Sequence, residues 1–388
     1  MTDLAPESLT PDALLELSRR TDPVGVLSIY VDADSGVDPG LRGAAIDIDN
    51  RLAELQRRTE DQGPPELARA VEDGIRRVRP QIHRLTDPAL SGRGRALFCA
   101  LSDGQTTGFS SQMRLAHRVV LAAGAFIHPL LELADEGRPA GVVLASQDGA
   151  RLLDWRLDEL REVARLEPEV VQAPHERAGP LGSTVASRQG SPKREQRAAR
   201  ERDRLSRFLA AVAAAVESHL PEHGWERVLV SGGDRLTEPL ADALPALRER
   251  IVRDPRLLAQ LAPAELAAAV SERLRSDHRA RELDLLGRTR EAAAARGVSE
   301  VAAALNEGRV THLIYDPEVR YEGTIDADGA LYAAGEAPPA ARELTDEPRL
   351  TERLVERALG TGARVSPVEG AAAGALAEAG GIVALLRW

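Results

Sequence analysis

Cysteine, lysine and long apolar runs are all scarce in this 388-residue chain. A single cysteine, Cys99, can neither close an internal disulfide nor build a zinc ribbon, so a disulfide framework is excluded and a reducing compartment is expected. Of the 50 basic residues only Lys193 is lysine, an imbalance that reports a GC-rich genome rather than selection for guanidinium chemistry. Arginine identity therefore carries no functional weight by itself. The longest apolar stretches, Val119 to Ala125 and Ala210 to Val216, fall far short of the roughly 20 residues of a membrane span, and the first residues lack the basic-then-apolar pattern of a signal peptide. A soluble cytoplasmic protein with no membrane partner is expected. The net charge of -11 argues against a uniformly basic nucleic-acid coat, while leaving room for one local basic element. Length alone predicts two or three domains, each able to bury its own core.

The first third reads as α/β. Thr10 is placed to cap a helix, and Val24 to Val31 is a short β-branched run that fits a buried strand. Helices are predicted over 41–61, with Ile46, Ile48, Leu52 and Leu55 on an apolar stripe, and from Pro65, with Leu67, Val71, Ile75 and Val78 at helical spacing. Asp103-Gly104 predicts a hairpin between 95–101 and 105–111, before a strand near 117–123 and a short helix near 126–133. Gly137 to Pro139 breaks the pattern and sets a first boundary. A second hairpin, 141–145 with 150–156, opens the middle block, and from Glu167 to Pro192 periodicity vanishes; loops that long are functional or disordered. Lys193 to Leu220 then reads as a helix with a charged first half and an apolar second half (Leu205, Phe208, Leu209, Val212, Val216, Leu220). Beyond it come a strand at 225–231, a turn at Gly232-Gly233, a helix at 238–244 and a very long helix over 263–296. The last block has a helix (298–306), a stop at Gly308, a strand (310–315), an acidic hairpin (321–332), a helix (348–359) and a terminal strand (382–386). Three segments are expected: 1–137, 138–296 and 297–388.

From Glu176 to Arg207 nine basic residues face four acidic ones. Such a segment can neutralise RNA phosphates and gain affinity by counterion release. It can equally be a solvated helix, with Glu201–Arg204 and Asp203–Arg207 spaced for ion pairs. Metal signals are weak, and no metal or other cofactor is expected. Asp32-x-Asp34-x-Gly36 and Asp326-x-Asp328-Gly329 read as turns, since neither continues as a calcium loop. His219 and His223 have i,i+4 spacing, but Pro221 between them should end the helix, and no Glu follows His219 as in a zinc-protease helix. His312, beside apolar residues, reads as a core histidine. There is no nucleophile elbow, Walker loop or dinucleotide fingerprint, and Gly179-x-x-Gly182-Ser183-Thr184 lacks the lysine of a phosphate loop.

The stretch Glu300 to Tyr315, with Ala304-Leu305-Asn306-Glu307-Gly308-Arg309-Val310 at its centre, resembles the start of the third domain of archaeal and eukaryotic class-I peptide release factors and of Pelota. The strand Ser28 to Asp32, the middle hairpin, the Arg-rich helix, Gly224 to Gly232 and the terminal Gly380 to Trp388 are similar to landmarks of the bacterial branch of that family. The resemblance implies a three-domain release-factor/Pelota-like architecture with mixed-sheet α/β domains. It also implies a ribosome partner, through ribosomal RNA at the A site rather than DNA, and admits an elongation factor beside it. In the family a Gly-Gly-Gln loop at the tip of the middle domain helps water attack the peptidyl-tRNA ester. Here Ser187-Arg188-Gln189 stands at that place, so Gln189 is the candidate catalytic glutamine, Gln196 a poorer one, and the glycine pair is missing.

Arg188, Lys193, Arg194, Arg197, Arg200 and Arg204 are the candidate RNA contacts. The departure at the glycines favours a non-catalytic A-site occupant resembling the Balon-type hibernation factors or a rescue factor. The alternatives are a peptidyl-tRNA hydrolase resembling the Vms-like release factors, working through Gln189 on stalled ribosomes, and a non-ribosomal cytoplasmic scaffold.

Overall fold

The computed structural model describes residues 2–4, 9–33, 40–146, 148–167, 190–290, 292–339 and 341–388. They form a mixed α/β structure of two compact units, Met1–Gly137 together with His278–Trp388, and Arg138–Asp277.

In the first 137 residues the elements are β1 (Thr2–Leu4), α1 (Pro11–Ser18), β2 (Thr21–Asp32), α2 (Gly40–Gln62), α3 (Pro65–Arg84), β3 (Gly94–Ala100), β4 (Thr106–Ser111), β5 (Arg118–Gly124) and α4 (His128–Glu136). Thr10 caps α1 as its sequence position suggests, accepting the Ala13 N–H at 3.3 Å, with Pro11 in the first turn where its missing donor costs nothing. The sheet runs β1-β4-β3-β2-β5, antiparallel except for β1 beside β4, and the expected Asp103-Gly104 hairpin is β3–β4. Leu27, Ile29 and Val31 of β2 bury one face of the sheet under Ala44, Ile48 and Leu52 of α2 and Val71, Ile75, Val78 and Ile82 of α3. Ile46 does not join that stripe and is 57% exposed. Two residues from both Ala44 and Ile48, it sits about 200° around the helix from each.

The unit Arg138–Asp277 contains β6 (Ala140–Ser146), β7 (Gly149–Arg156), β8 (Glu159–Leu166), α5 (Gly190–His223), β9 (Arg227–Ser231), α6 (Asp234–Asp242), β10 (Ile251–Asp254) and most of α7 (Pro263–Thr289). Strand order is β10-β9-β6-β7-β8, with β10, β9 and β6 parallel and β6, β7 and β8 antiparallel. Both faces are covered, which is why β9 reads as a continuous apolar run. Val228 and Val230 pack under Leu209, Val212 and Val216 of α5 and Leu240 of α6, whereas Leu229 packs under Leu266, Val270 and Leu274 of α7.

Expectations for α5 and for α7 are corrected. The helix does not stop at Pro221: α5 runs on to His223 and ends at Gly224, in the left-handed region at φ 65°, with the Trp225 N–H bonded to the Leu220 carbonyl at 3.0 Å. This is a Schellman termination, and it satisfies the Leu220 carbonyl that the helix end would otherwise orphan. Residues 190–192, expected in the loop, are already helical. The second correction is α7, which ends at Thr289 rather than Arg296. Its Ala-rich continuation has good helix propensity, but Ala294–Arg296 instead forms β11, paired with the C-terminal strand, so tertiary pairing wins.

The remaining elements are α8 (Gly297–Asn306), β12 (Val310–Tyr315), β13 (Gly323–Ile325), β14 (Leu331–Ala333), β15 (Thr345–Glu347), α9 (Leu350–Gly360), β16 (Arg364–Pro367), α10 (Gly370–Leu376) and β17 (Ile382–Leu386). They build a β11-β17-β12-β16 sheet and a small β14-β13-β15 sheet. Ile314 and Val383 pack with Leu286 of α7 and Leu376 of α10, a cluster distinct from the one that buries Val31. His312 is buried with Nε2 2.8 Å from Ser366 Oγ, a core histidine as expected. The Asp326 carboxylate accepts the N–H groups of Asp328 and Ala330, which is turn chemistry rather than a cation loop. Asp34 and Gly36 of the other acidic turn lie outside the described residues. No described helix is long and apolar enough to cross a membrane.

Candidate functional site

The candidate site is assembled from α5 and from the carboxyl ends of the parallel strands β6, β9 and β10, the edge where open α/β sheets hold ligands. The second half of α5 is anchored by Leu209, Val212 and Val216, all nearly inaccessible. Its first half shows no such anchor among the described residues: Gln196, Arg200, Glu201, Arg202, Asp203 and Arg204 are exposed. Positions 193, 197, 200, 204 and 207 recur at alternating steps of four and three, so all five basic residues fall on one helix face. The Glu201–Arg204 ion pair that the spacing admits does not form among the described residues, whereas Arg207 is engaged. Arg202 instead donates from Nε to the Ala198 carbonyl at 3.2 Å.

The lower end of this face opens onto a cleft of about 1030 Å³. Arg204, Arg207 and Phe208 of α5 line one wall, Ser146 and Asp148 after β6 another, and Ser231 to Arg235 between β9 and α6 the floor. Gly232 is required there: its φ is 154°, and an added Cβ would stand 2.7 Å from the Ala145 carbonyl. Gly233 is the N-cap of α6 and supplies no side-chain acceptor, so an uncapped helix N-terminus, which favours negative charge, borders the cleft. The β10 side is locked from below. Ser231 Oγ donates to the Arg256 carbonyl at 2.6 Å and accepts the Leu258 N–H at 3.2 Å. Arg256 grips buried Asp254 through Nε at 3.0 and 3.1 Å and Nη2 at 2.7 Å. Burial works to raise the Asp254 carboxyl, but the bonds from Arg256 outweigh it and hold the group below its ordinary value.

Of the residues singled out from sequence, Arg200 and Arg204 are brought to the exposed face, and Arg204 to the cleft as well. Lys193, Arg194 and Arg197 lie on α5 by their backbone alone. Arg188, Gln189 and the Gly179-x-x-Gly182 stretch lie outside the described residues, as does the loop over 168–189. Gln196 is helical and exposed. The cleft residues Ser231 to Arg235 were legible only as a glycine turn after an apolar strand.

Residues 126–279, which span this whole construction, match the family described as Bacterial archaeo-eukaryotic release factor family 10. The match covers 154 of the 388 residues and is a likeness to bacterial archaeo-eukaryotic release factors. No curated protein matches the chain. Among solved structures the chain is similar to the archaeal translation termination factor aRF1, at 15% identity and TM-score 0.26 over 100% of this chain and 99% of that one. It is similar to S. cerevisiae Dom34 at 11% identity and TM-score 0.38, covering 76% and 80%, and to an archaeal Pelota described as ribosome-bound with ABCE1 at 14% identity and TM-score 0.38, covering 74% and 72%.

Proposed function

We propose that this chain is a ribosome-associated translation factor of the release-factor and Pelota group, which occupies the A site through the basic face of α5 in a non-catalytic hibernation or rescue role. The observation that carries the reading is the family match over 126–279, the segment that holds α5 and the cleft. The exposed half of α5 supports it physically. Arg200 and Arg204 present charge to solvent without intrahelical partners among the described residues, so phosphate neutralisation does not first have to break an ion pair. A cytoplasmic location follows from the ribosomal partner, and an elongation factor fits beside it. In this reading the segments 1–137, 138–296 and 297–388 serve as three modules of one factor.

The test is sedimentation of the chain with ribosomes across a salt series. Replacing Arg197, Arg200 and Arg204 with Glu should weaken binding by at least tenfold and flatten its salt dependence, because fewer counterions are released. An unchanged salt slope sinks the RNA contact, and failure of the unaltered chain to sediment sinks the whole reading. Ribosomes carrying peptidyl-tRNA should keep the ester intact. Peptide release that disappears in Gln189→Ala would replace the non-catalytic role with the hydrolase.

A further inference from the structure

The last turn of α5 gathers a set of side chains that the basic face and the cleft leave unused. His219, Glu222 and His223 stand at i, i+3 and i+4, and because the helix continues through Pro221 they share one face. One donor atom from each lies within 4.8 Å of the others, the only such His/Cys/Asp/Glu group of three among the described residues. His219 Nδ1 is 3.1 Å from Glu222 Oε2, and the two imidazole rings are 5.5 Å apart.

The turn that presents them is held in place. His223 stacks on the Trp225 indole at 5.5 Å with planes 17° apart. Trp225 is itself 1% exposed and donates its Nε1–H to Asp154 at 2.6 Å. The His223 carbonyl accepts from Arg156 Nη2 at 3.0 Å, and the Schellman bond fixes the backbone one residue further on. Ligand backbones fixed in this way pay little ordering entropy on binding.

We propose that His219, Glu222 and His223 form a binding site for one divalent transition-metal ion of the zinc, nickel and copper class. Two imidazole nitrogens and one carboxylate oxygen are the donor set that borderline ions prefer, whereas calcium and magnesium demand oxygen donors. Zinc bonds of about 2.0–2.2 Å put donors about 3.4 Å apart on a tetrahedral ion, close to the 3.1 Å between His219 Nδ1 and Glu222 Oε2 and inside the 4.8 Å bound on the whole set. Three protein ligands leave a fourth position for water. The site lies fifteen residues, or about 22 Å, along α5 from Arg204, so it stands or falls apart from RNA binding.

Zinc chloride titrated by calorimetry into the tag-free, chelator-treated full chain should bind with one-to-one stoichiometry at micromolar affinity and raise the melting temperature. The same site titrated with copper(II) should quench the Trp225 fluorescence. His219→Asn with His223→Asn should abolish both effects, and the exposed Glu222→Gln, which removes no packing, should weaken zinc binding at least threefold. Absence of zinc binding at 1 mM, undiminished binding in the double variant, or unaltered affinity in Glu222→Gln would each overturn the three-ligand site.

Discussion

Two side chains one turn apart on α4 titrate far from their ordinary values, in opposite directions. His128 is buried with Nδ1 2.5 Å from the Tyr315 hydroxyl, and burial, with Arg118, Arg349 and Arg320 nearby, pushes it down to about 4. Glu132 is pushed up to about 8, by burial first and then by Glu369 beside it. The stabilising effect of neutral His128 is complete above 6.5 and drains away as pH falls toward 4, since the unfolded imidazole takes the proton first. That of neutral Glu132 is complete below 4.5 and drains away as pH rises toward 8, since the unfolded carboxyl loses its proton first. Between those ordinary values the two slopes oppose. Glu132→Gln, which keeps a neutral side chain of the same shape, should therefore unfold at higher urea than the parent at pH 8, by about 1 kcal/mol or more, and show no comparable gain at pH 5. A gain confined to pH 5 would mean that Glu132 is ionised in the folded protein. Cys99 follows the same logic: fully buried, its thiol is pushed up to about 12, which withholds the thiolate that oxidants attack.

At the scale of elements, α5 shows what local rules capture and where they end. The Leu205 to Leu220 stripe was readable because burial against a sheet repeats every 3.6 residues, and all six expected positions do pack there. Pro221 misled because a proline need not end a helix at once: α5 runs two residues past it, and the stop comes from Gly224 in the left-handed region. An added Cβ at Gly224 would meet no atom within 4 Å, so Gly224→Ala should cost about 1 kcal/mol from the left-handed φ alone, measured as a lower urea midpoint with an unchanged slope. A changed slope would show that the helix end rearranges instead. Other elements left weaker traces. Edge strand β8 is half exposed and alternates poorly, and β11 sits in an alanine run that favours helix until β17 pairs with it. The cleft was illegible for a different reason: Ser146 in one wall and Ser231 in the floor come to one edge only through the parallel pairing of β6 with β9, and Arg204 reaches it from α5.

For the whole molecule, the decisive fact is that one unit is continuous in sequence and the other is not. Residues 138–277 own both faces of their sheet. Leu209, Val212 and Val216 close one side, and Leu266, Val270 and Leu274 close the other before the unit ends inside α7. The terminal residue of the unit is also tied down, Asp277 lying 3.5 Å from buried Arg227, whose Nη1 donates to the Leu274 carbonyl at 3.0 Å. At about 140 residues this is within the ordinary size of an independent domain. A protein made of residues 138–277 alone should therefore fold, melting in one cooperative transition with coincident near- and far-ultraviolet circular dichroism. It should also retain any salt-dependent RNA affinity that belongs to α5, because the basic face and its apolar anchor travel together. A broad melt with exposed apolar surface would show that the two cores depend on residues outside the unit, and the contact boundaries at 138 and 277 would then not be folding boundaries.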